Sequence, residues 1–334
     1  MGNRHGLKAA IGPGEEVTWD TAVAVSVYLG VFTTGVVRAI NKISSAVIPT
    51  GSSPIPSAKV CDSDQSGGTF AMPLSARAMG ILWKHFFGAV SSAPATPVVG
   101  VNQHTFDTQL CETQGLTLDQ YKGIDKDASP LEYLHEVFPG GILAGFRLTM
   151  NTRGEARVEW TTLTGTAQAR ATTTTPPTMS LLQLGSIVDK CWTVSALWQG
   201  RTYVFDTLDL TASRGHQRND KAGSGNDGRP TAGAMSVRFG GTIDHTSDAT
   251  YNDHLAEAAG DLVLTFTSKA DIGATGEKRK LVFTLHDAEQ VSNDGAPTTG
   301  PGLLKERVAW EPSSVTNSGF SLMVQNEDTS ALAM

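Results

Sequence analysis

The residues best suited to chemistry fall in one cluster, Asp244, His245, Asp248, Asp253 and His254, whose carboxylates and imidazoles are donor types that hold divalent cations. Their spacing follows no metal-ligand pattern, so a solvated loop between strands is the plainer reading. Gly223-Ser224-Gly225-Asn226-Asp227-Gly228 matches G-x-G-x-x-G, yet Arg229-Pro230 follows in a polar stretch, where a helix N-terminus would have to receive a pyrophosphate. Gly276-Glu277-Lys278-Arg279 lacks the Gly-Lys pair and the Ser or Thr of a phosphate loop. There is no G-x-S-x-G elbow and no H-E-x-x-H pair. A triad assembled from distant residues would leave no such mark, so missing motifs lower the case for an enzyme without closing it. Lys278-Arg279-Lys280 is a short basic run without interleaved aromatics, which fits a solvated strand entry better than a nucleic-acid site. Cys61, Cys111 and Cys191 are odd in number and far apart, which suggests neither a disulfide framework nor zinc. The expectation is no catalytic residue, no cofactor and no metal.

The elements that would position these residues are strands. Thirty-five Gly, 15 Pro and many Thr and Val favour short strands and turns over helices. Val23, Val25, Val27, Leu29 and Val31 alternate with Ala24, Ser26, Tyr28 and Gly30, the period of a strand with one buried face, and Gly30 or Gly35 is expected to bend it. The same region, Ala22 to Val37, is interrupted too often by Ser, Thr and Gly to cross a membrane, so no membrane anchor is read. A second extended segment surrounds Lys59-Val60-Cys61. One amphipathic helix of about three turns is predicted from Ser75 as N-cap to Gly88 as stop, with Met79, Leu82, Trp83 and Phe86 packing over an open side of a sheet.

Strand-like segments follow at Val101–Gln109 and Gly115–Tyr121. The clearest hairpin comes next: Phe146, Leu148 and Met150 alternate before a turn at Asn151–Gly154, and Val158 and Trp160 alternate after it. Thr164 to Pro177 reads as a linker or long loop, and an inserted loop or lobe is expected at about 164–232. Two strands around Gln199-Gly200, a polar loop at Ser213–Pro230, and strands at Met235–Phe239, Asp261–Ser268, Lys280–His286 and Gly319–Gln325 complete the pattern. Residues 1–16 are polar and glycine-rich and read as an arm, leaving 17–334 as a β-domain.

In order along the chain, these segments resemble the tail tube protein family of long-tailed bacteriophages. Gly14-Glu15-Glu16-Val17-Thr18-Trp19-Asp20-Thr21-Ala22-Val23 is similar to that family's opening, with Asp20 where Gly is common. Gly68-Thr69-Phe70 and the helix ending Phe86-Phe87-Gly88, then His104-Thr105-Phe106, Gly145-Phe146-Arg147-Leu148 and Gly319 to Asn326, look like its later landmarks. The resemblance implies a mainly β fold, a tail-tube-type β-sandwich or barrel with one short flanking α-helix, long loops and extended arms. It implies six copies per ring, rings stacked into a channel for DNA, and a virion location after assembly from the host cytoplasm. Tape measure, tail terminator and baseplate proteins are the implied partners beside the chain itself, with DNA passing non-specifically.

A formal net charge of −7 argues against a phosphate-gripping surface and leads to the expectation of an acidic bore. Two other readings stand beside this one. The chain could be another virion part, such as a head–tail joining or capsid decoration protein. It could instead be a β-sandwich enzyme or carbohydrate-binding module, with Trp19, Trp192, Trp198 or Trp310 as stacking platforms.

Overall fold

A computed structural model describes residues 9–44, 59–95, 98–109, 115–125, 132–151, 155–165, 170–185, 192–219, 228–231, 233–244, 249–293, 305–313 and 319–332. Strands hold 65% of the described residues and helices 7%, which makes the fold mainly β, consistent with a β-sandwich. The first part contains β1 (Ala10–Glu15), β2 (Leu29–Gly30), β3 (Thr33–Thr34), β4 (Val37–Ser44) and β5 (Lys59–Pro73). Then come α1 (Gly80–Phe87), β6 (Gly88–Pro94), β7 (Asn102–Thr108), β8 (Leu116–Asp125), β9 (Glu132–Met150) and β10 (Ala156–Thr164). The middle holds β11 (Ala171–Thr173), α2 (Leu181–Gly185), β12 (Trp192–Trp198), β13 (Arg201–Tyr203), β14 (Phe205–Arg214), β15 (Gln217–Asn219) and β16 (Gly228–Thr231). Last are β17 (Met235–Asp244), α3 (Ala249–Leu255), β18 (Ala259–Asp271), β19 (Lys278–Asn293), β20 (Lys305–Pro312) and β21 (Phe320–Asn326).

All pairings between these strands are antiparallel, and two long strands organise them. The C-terminal half of β9 lies between β10 and β14, continuing through β5 to β4 on one side and through β17 to β20 on the other. The N-terminal half of β9 turns to a second group, pairing with β8 and β11, while β8 pairs with β1. Strand β19 joins the sandwich's other layer: β6, β7, β21, β19, β18 and β12 in spatial order, with β20 linking it back to β17. Alternation explains the layering, because every second residue of β10, β12, β18 and β19 is buried.

Five regions differ from what the sequence leads one to expect. Ala10–Glu15, inside the segment read as an arm, is β1, its residues from Ala10 to Pro13 buried between β2 and β8; residues 1–8 lie outside the described set. The valine alternation at 21–27 gives no strand: the segment carries no regular secondary structure. There Val25 packs so closely on β1 that a Cβ at Gly12 would lie 2.3 Å from it, so side-chain packing, not strand pairing, holds the segment.

The helix is two turns, not three. Ser75 does not cap it: its hydroxyl donates to the Arg77 carbonyl (2.7 Å) and accepts from the Arg77 N–H (3.1 Å) in a local turn, leaving Met79 as the first flanking residue. Gly88 ends it, at φ 102°. The range 164–232 contributes β12 and β14 to the main sheet, and the β15–β16 pair is a separate two-stranded sheet. Residues expected as loop near 249–255 form α3, which packs on β19.

Candidate assembly surfaces

None of the sequence's chemical candidates converge. Asp244 ends β17 with its carboxylate 3.6 Å from Lys305 Nζ, Asp253 pairs with Arg201, and His254 Nδ1 lies 2.7 Å from the Gln290 carbonyl. His245 and Asp248 fall outside the described residues, among which no three His, Cys, Asp or Glu come together as a metal site. Of the glycine-rich motif, only Gly228 is described, and it opens β16. The basic run is matched by acids: Lys278 with Asp271 (3.8 Å), Arg279 with Glu327 (2.6 Å), Lys280 with Glu277 (3.3 Å). Trp192, Trp198 and Trp310 are buried, which removes them as sugar platforms, and Trp19 is half-buried. Cys61 lies in β5, while Cys111 and Cys191 are outside the described residues.

The helix and hairpin residues meet in one core. Met79, Leu82, Trp83 and Phe86 are buried, as are Phe146, Leu148, Met150, Val158 and Trp160. The Trp83 ring centre lies 4.7 Å from Trp160, 5.2 Å from Phe146 and 5.8 Å from Phe283, so one side chain touches β10, β9 and β19. Helix α1 therefore packs against both layers, beside the direct contact of Phe146 with Phe283 and Phe320. Its C-terminal end is satisfied by Arg214, whose Nη2 donates to the Phe87 carbonyl at 2.6 Å, a cation where the helix dipole favours one.

Two polar assemblies escaped the sequence reading. Glu16 is fully buried and accepts from the Thr117 hydroxyl (2.8 Å), the Gly140 N–H (2.8 Å) and the Asp20 N–H (2.9 Å). Burial pushes the carboxyls of Glu16 and Asp20 up. Gly140 takes φ 63° there, and a Cβ on it would lie 2.9 Å from the Asp20 carboxylate. Next to this pocket Asp119 accepts from the Tyr28 hydroxyl (2.9 Å) and lies 2.6 Å from His135 Nε2; its carboxyl is raised by burial despite both contacts.

At the N-terminal end of α1, the residues after β21 clasp the turn that leads into it. Arg77 makes a bidentate contact with Asp328, which raises its guanidinium further, and lies 2.8 Å from Glu327. Asn326 Nδ2 donates to the Ala76 carbonyl (2.7 Å), and buried His104 contacts the Asn326 side chain (3.1 Å). No local pattern marks either assembly, since contacts such as Glu16 with Thr117 and Gly140, and Asn326 with His104 and Ala76, join residues a hundred or more apart.

The two layers present unlike outer faces. Across β12, β18, β19, β21 and β7 one outward row reads Ser195, Thr265, Val282, Met323, Thr105. The row on one side is Leu197, Val263, Thr284, Ser321, Asp107, and on the other Thr193, Thr267, Lys280, Gln325, Gln103. Within these three rows only Lys280 and Asp107 carry charge, and Lys280 is paired with Glu277; Asp261, Lys269, Lys278 and His286 lie at outward positions of β18 and β19 beyond them. Across β10, β9, β14 and β17 the outward row Glu159, Arg147, Thr211, Arg238 lies beside Arg157, Thr149, Asp209, Gly240. That face is laced with ion pairs, Arg147–Asp209, Arg157–Glu159 (3.6 Å) and Arg238–Glu311 (3.3 Å), and it carries exposed Arg307.

A β-sandwich whose interior is aromatic, whose conserving forces are packing and ion pairs, and whose largest features are sheet faces and edges belongs to the class of structural building blocks. The family model for phage tail tube proteins matches residues 6–312 of the 334, and the chain belongs to that family. It is a structural component of a phage tail and not an enzyme. A search of curated proteins finds no match. Among the described residues no helix is long and apolar enough to cross a membrane.

Proposed function

We propose that this chain forms closed hexameric rings that stack into the channel through which phage DNA is ejected. Tape measure, tail terminator and baseplate proteins are its further contacts in the assembled tail, and the host cytoplasm is where the subunits wait before assembly. The observation that carries this reading is the sheet itself: strands with one apolar and one solvated face, with β4 and β6 as edges that each pair with a single strand among the described residues. A lone chain would leave such edges to water or to aggregation, whereas identical copies arranged by rotation can satisfy them. Family membership supplies the tube, and the six-fold closure and DNA passage are the finer content of the proposal.

Native mass measurement followed by electron microscopy of the purified chain tests it. Six-fold rings or tubes with an open axial channel are the expected products. A compact monomer at every concentration would end the proposal, and trimers that bind capsids would move the chain to the decoration class.

A further inference from the structure

We infer that Ser92, on the open edge of β6, is an activated nucleophile, with His104 as its base and Asn326 positioning that base, and that it takes up an acyl group from an ester or thioester donor. The site is complete within one chain and does not depend on ring formation.

Three side chains from three strands form it. The Ser92 hydroxyl lies 2.8 Å from His104 Nδ1, and His104 Nε2 lies 3.1 Å from Asn326 Oδ1 and 3.0 Å from the Asp328 carbonyl. The backbone settles the direction of each hydrogen bond. Asn326 Nδ2 donates to the Ala76 carbonyl (2.7 Å) and its Oδ1 accepts from the Asp328 N–H (2.9 Å), so the amide stands only one way round. Nε2 thus faces two acceptors and carries the ring proton. That leaves Nδ1 of the neutral ring as an acceptor, and the Ser92 hydroxyl as its donor. A hydroxyl bonded to a basic ring nitrogen, with the other nitrogen held by a third group, is the arrangement that turns an inert alcohol into a nucleophile. Burial divides the roles: His104 is 1% and Asn326 4% exposed, while Ser92 faces solvent. The carboxylates of the clasp are already engaged, Asp328 by Arg77 and Glu327 by Arg77 and Arg279.

The sheet explains why these residues meet. Ser92 pairs with His104 across β6 and β7, and β7 pairs with β21, which ends at Asn326. The Ala95 N–H donates to the Val101 carbonyl (2.8 Å) and the Gln109 N–H to the Phe87 carbonyl (2.9 Å), which sets the phase of the ladder. Alternate pairs from Phe87 to Ala95 exchange hydrogen bonds, and Ser92 with His104 falls on a pair between them, where side chains come closest. The same phase turns the Ser92 N–H away from β7, towards the side on which β6 has no partner strand among the described residues. An oxyanion forming there would meet a donor. The rest of β6 is small and uncharged, Gly-Ala-Val-Ser before Ser92 and Ala-Pro after it, so the approach is open.

In the step assigned to the site, Ser92 Oγ bonds to the acyl carbon while its proton passes to His104 Nδ1. The imidazolium returns that proton to the departing alkoxide or thiolate, which leaves an ester on Ser92 and a free alcohol or thiol. One acylation per chain suffices to mark or join a building block, and no turnover is required.

An alkyl fluorophosphonate tests activation on the full purified chain, since attack by Oγ expels fluoride, and p-nitrophenyl acetate tests acyl transfer. Peptide mass mapping should find both labels on Ser92, absent from Ser92→Ala and undiminished in Ser91→Ala. His104→Gln should react at least about a hundredfold more slowly while unfolding in urea like the unsubstituted chain. Labelling should fall in acid and level off once the ring is neutral, whereas a rate climbing in proportion to hydroxide would mean that the hydroxyl acts unaided. Asn326→Ala should also be slow. Asn326→Asp, which keeps an acceptor beside Nε2 but loses the donor to Ala76, should recover most of the rate, and equal slowing in both would remove the positioning role. An unlabelled Ser92, or labelling indifferent to His104→Gln, overturns the inference. If His104→Gln does not fold, the pH profile of the unsubstituted chain decides.

Discussion

The two halves of β9 face two kinds of interior. Toward its C-terminus Phe146, Leu148 and Met150 enter an aromatic core around Trp83, where ring centres lie 4.7–5.8 Å from that indole in three directions. Toward its N-terminus Gly140 and His135 meet a polar interior that holds Glu16 and Asp119. The aromatic half gains from many non-directional contacts, so its stability is distributed. The polar half depends on a few donors placed around carboxylates, and losing one strands the others. The largest losses should therefore come from volume at one end and from single hydrogen bonds at the other.

Trp83→Ala should have the largest effect, about 3–5 kcal/mol of folding stability, because truncation leaves a cavity among the rings of β9, β10 and β19 that it touches. Urea unfolding of the single chain measures it. A loss below about 1 kcal/mol, the scale of an ordinary surface change, would mean that the Trp83 ring does not hold the two layers together at this point.

Glu16→Ala should rank second. It leaves the Gly140 N–H, the Thr117 hydroxyl and the Asp20 N–H without their acceptor, at about 1–3 kcal/mol for each group that finds no water. The same unfolding experiment reads it, and a neutral outcome would show that the pocket is already hydrated.

These two regions were unequally legible in the sequence. The Trp83 core could be read because alternation along β9 and β10 and helical spacing from Met79 to Phe86 are local signals of which side is buried. The start of α1 was misplaced because Ser75 has the chemistry of a cap but spends it on Arg77 two residues away. The valines at 23–27 show the limit of periodicity: it reports which side chains are covered, not whether the backbone has a strand beside it. The polar pocket was invisible because nothing in Gly14-Glu15-Glu16 says that the second glutamate meets Gly140 and Thr117. The metal-like cluster at 244–254 is the converse case, suitable residue types whose described members the fold pairs off separately.

Glu15 and Glu16 sharpen the contrast, since adjacent carboxyls are driven opposite ways. Contact with His85, aided by Lys84, lowers Glu15 from 4.5 to about 2. Its stabilisation is present above 4.5 and is lost as pH falls toward 2. Burial raises Glu16, so its titration favours the folded state below 4.5 and that contribution is lost as pH rises through the raised value. The stability difference between the unsubstituted chain and Glu15→Gln should thus grow with rising pH, by about 1–2 kcal/mol after solvent screening. For Glu16→Gln the difference should shrink with rising pH. Unfolding across a pH series reads both slopes, and slopes of the same sign would refute the opposition.

Arg147→Ala should have the smallest effect. Its guanidinium is 60% exposed and Asp209 37%, so water already solvates both, and about 0–1 kcal/mol is expected, decreasing with salt. The pairing of Arg77 with Asp328 is chemically the same but is 18% and 9% exposed, and there the pair fastens the residues after β21 to the turn before α1. If Arg147→Ala cost as much as Arg77→Ala in low salt, burial would not be what separates them. The charged outer face would then be a stabilising element of the single chain, not a surface kept polar for solvent, and its arginines would need another account.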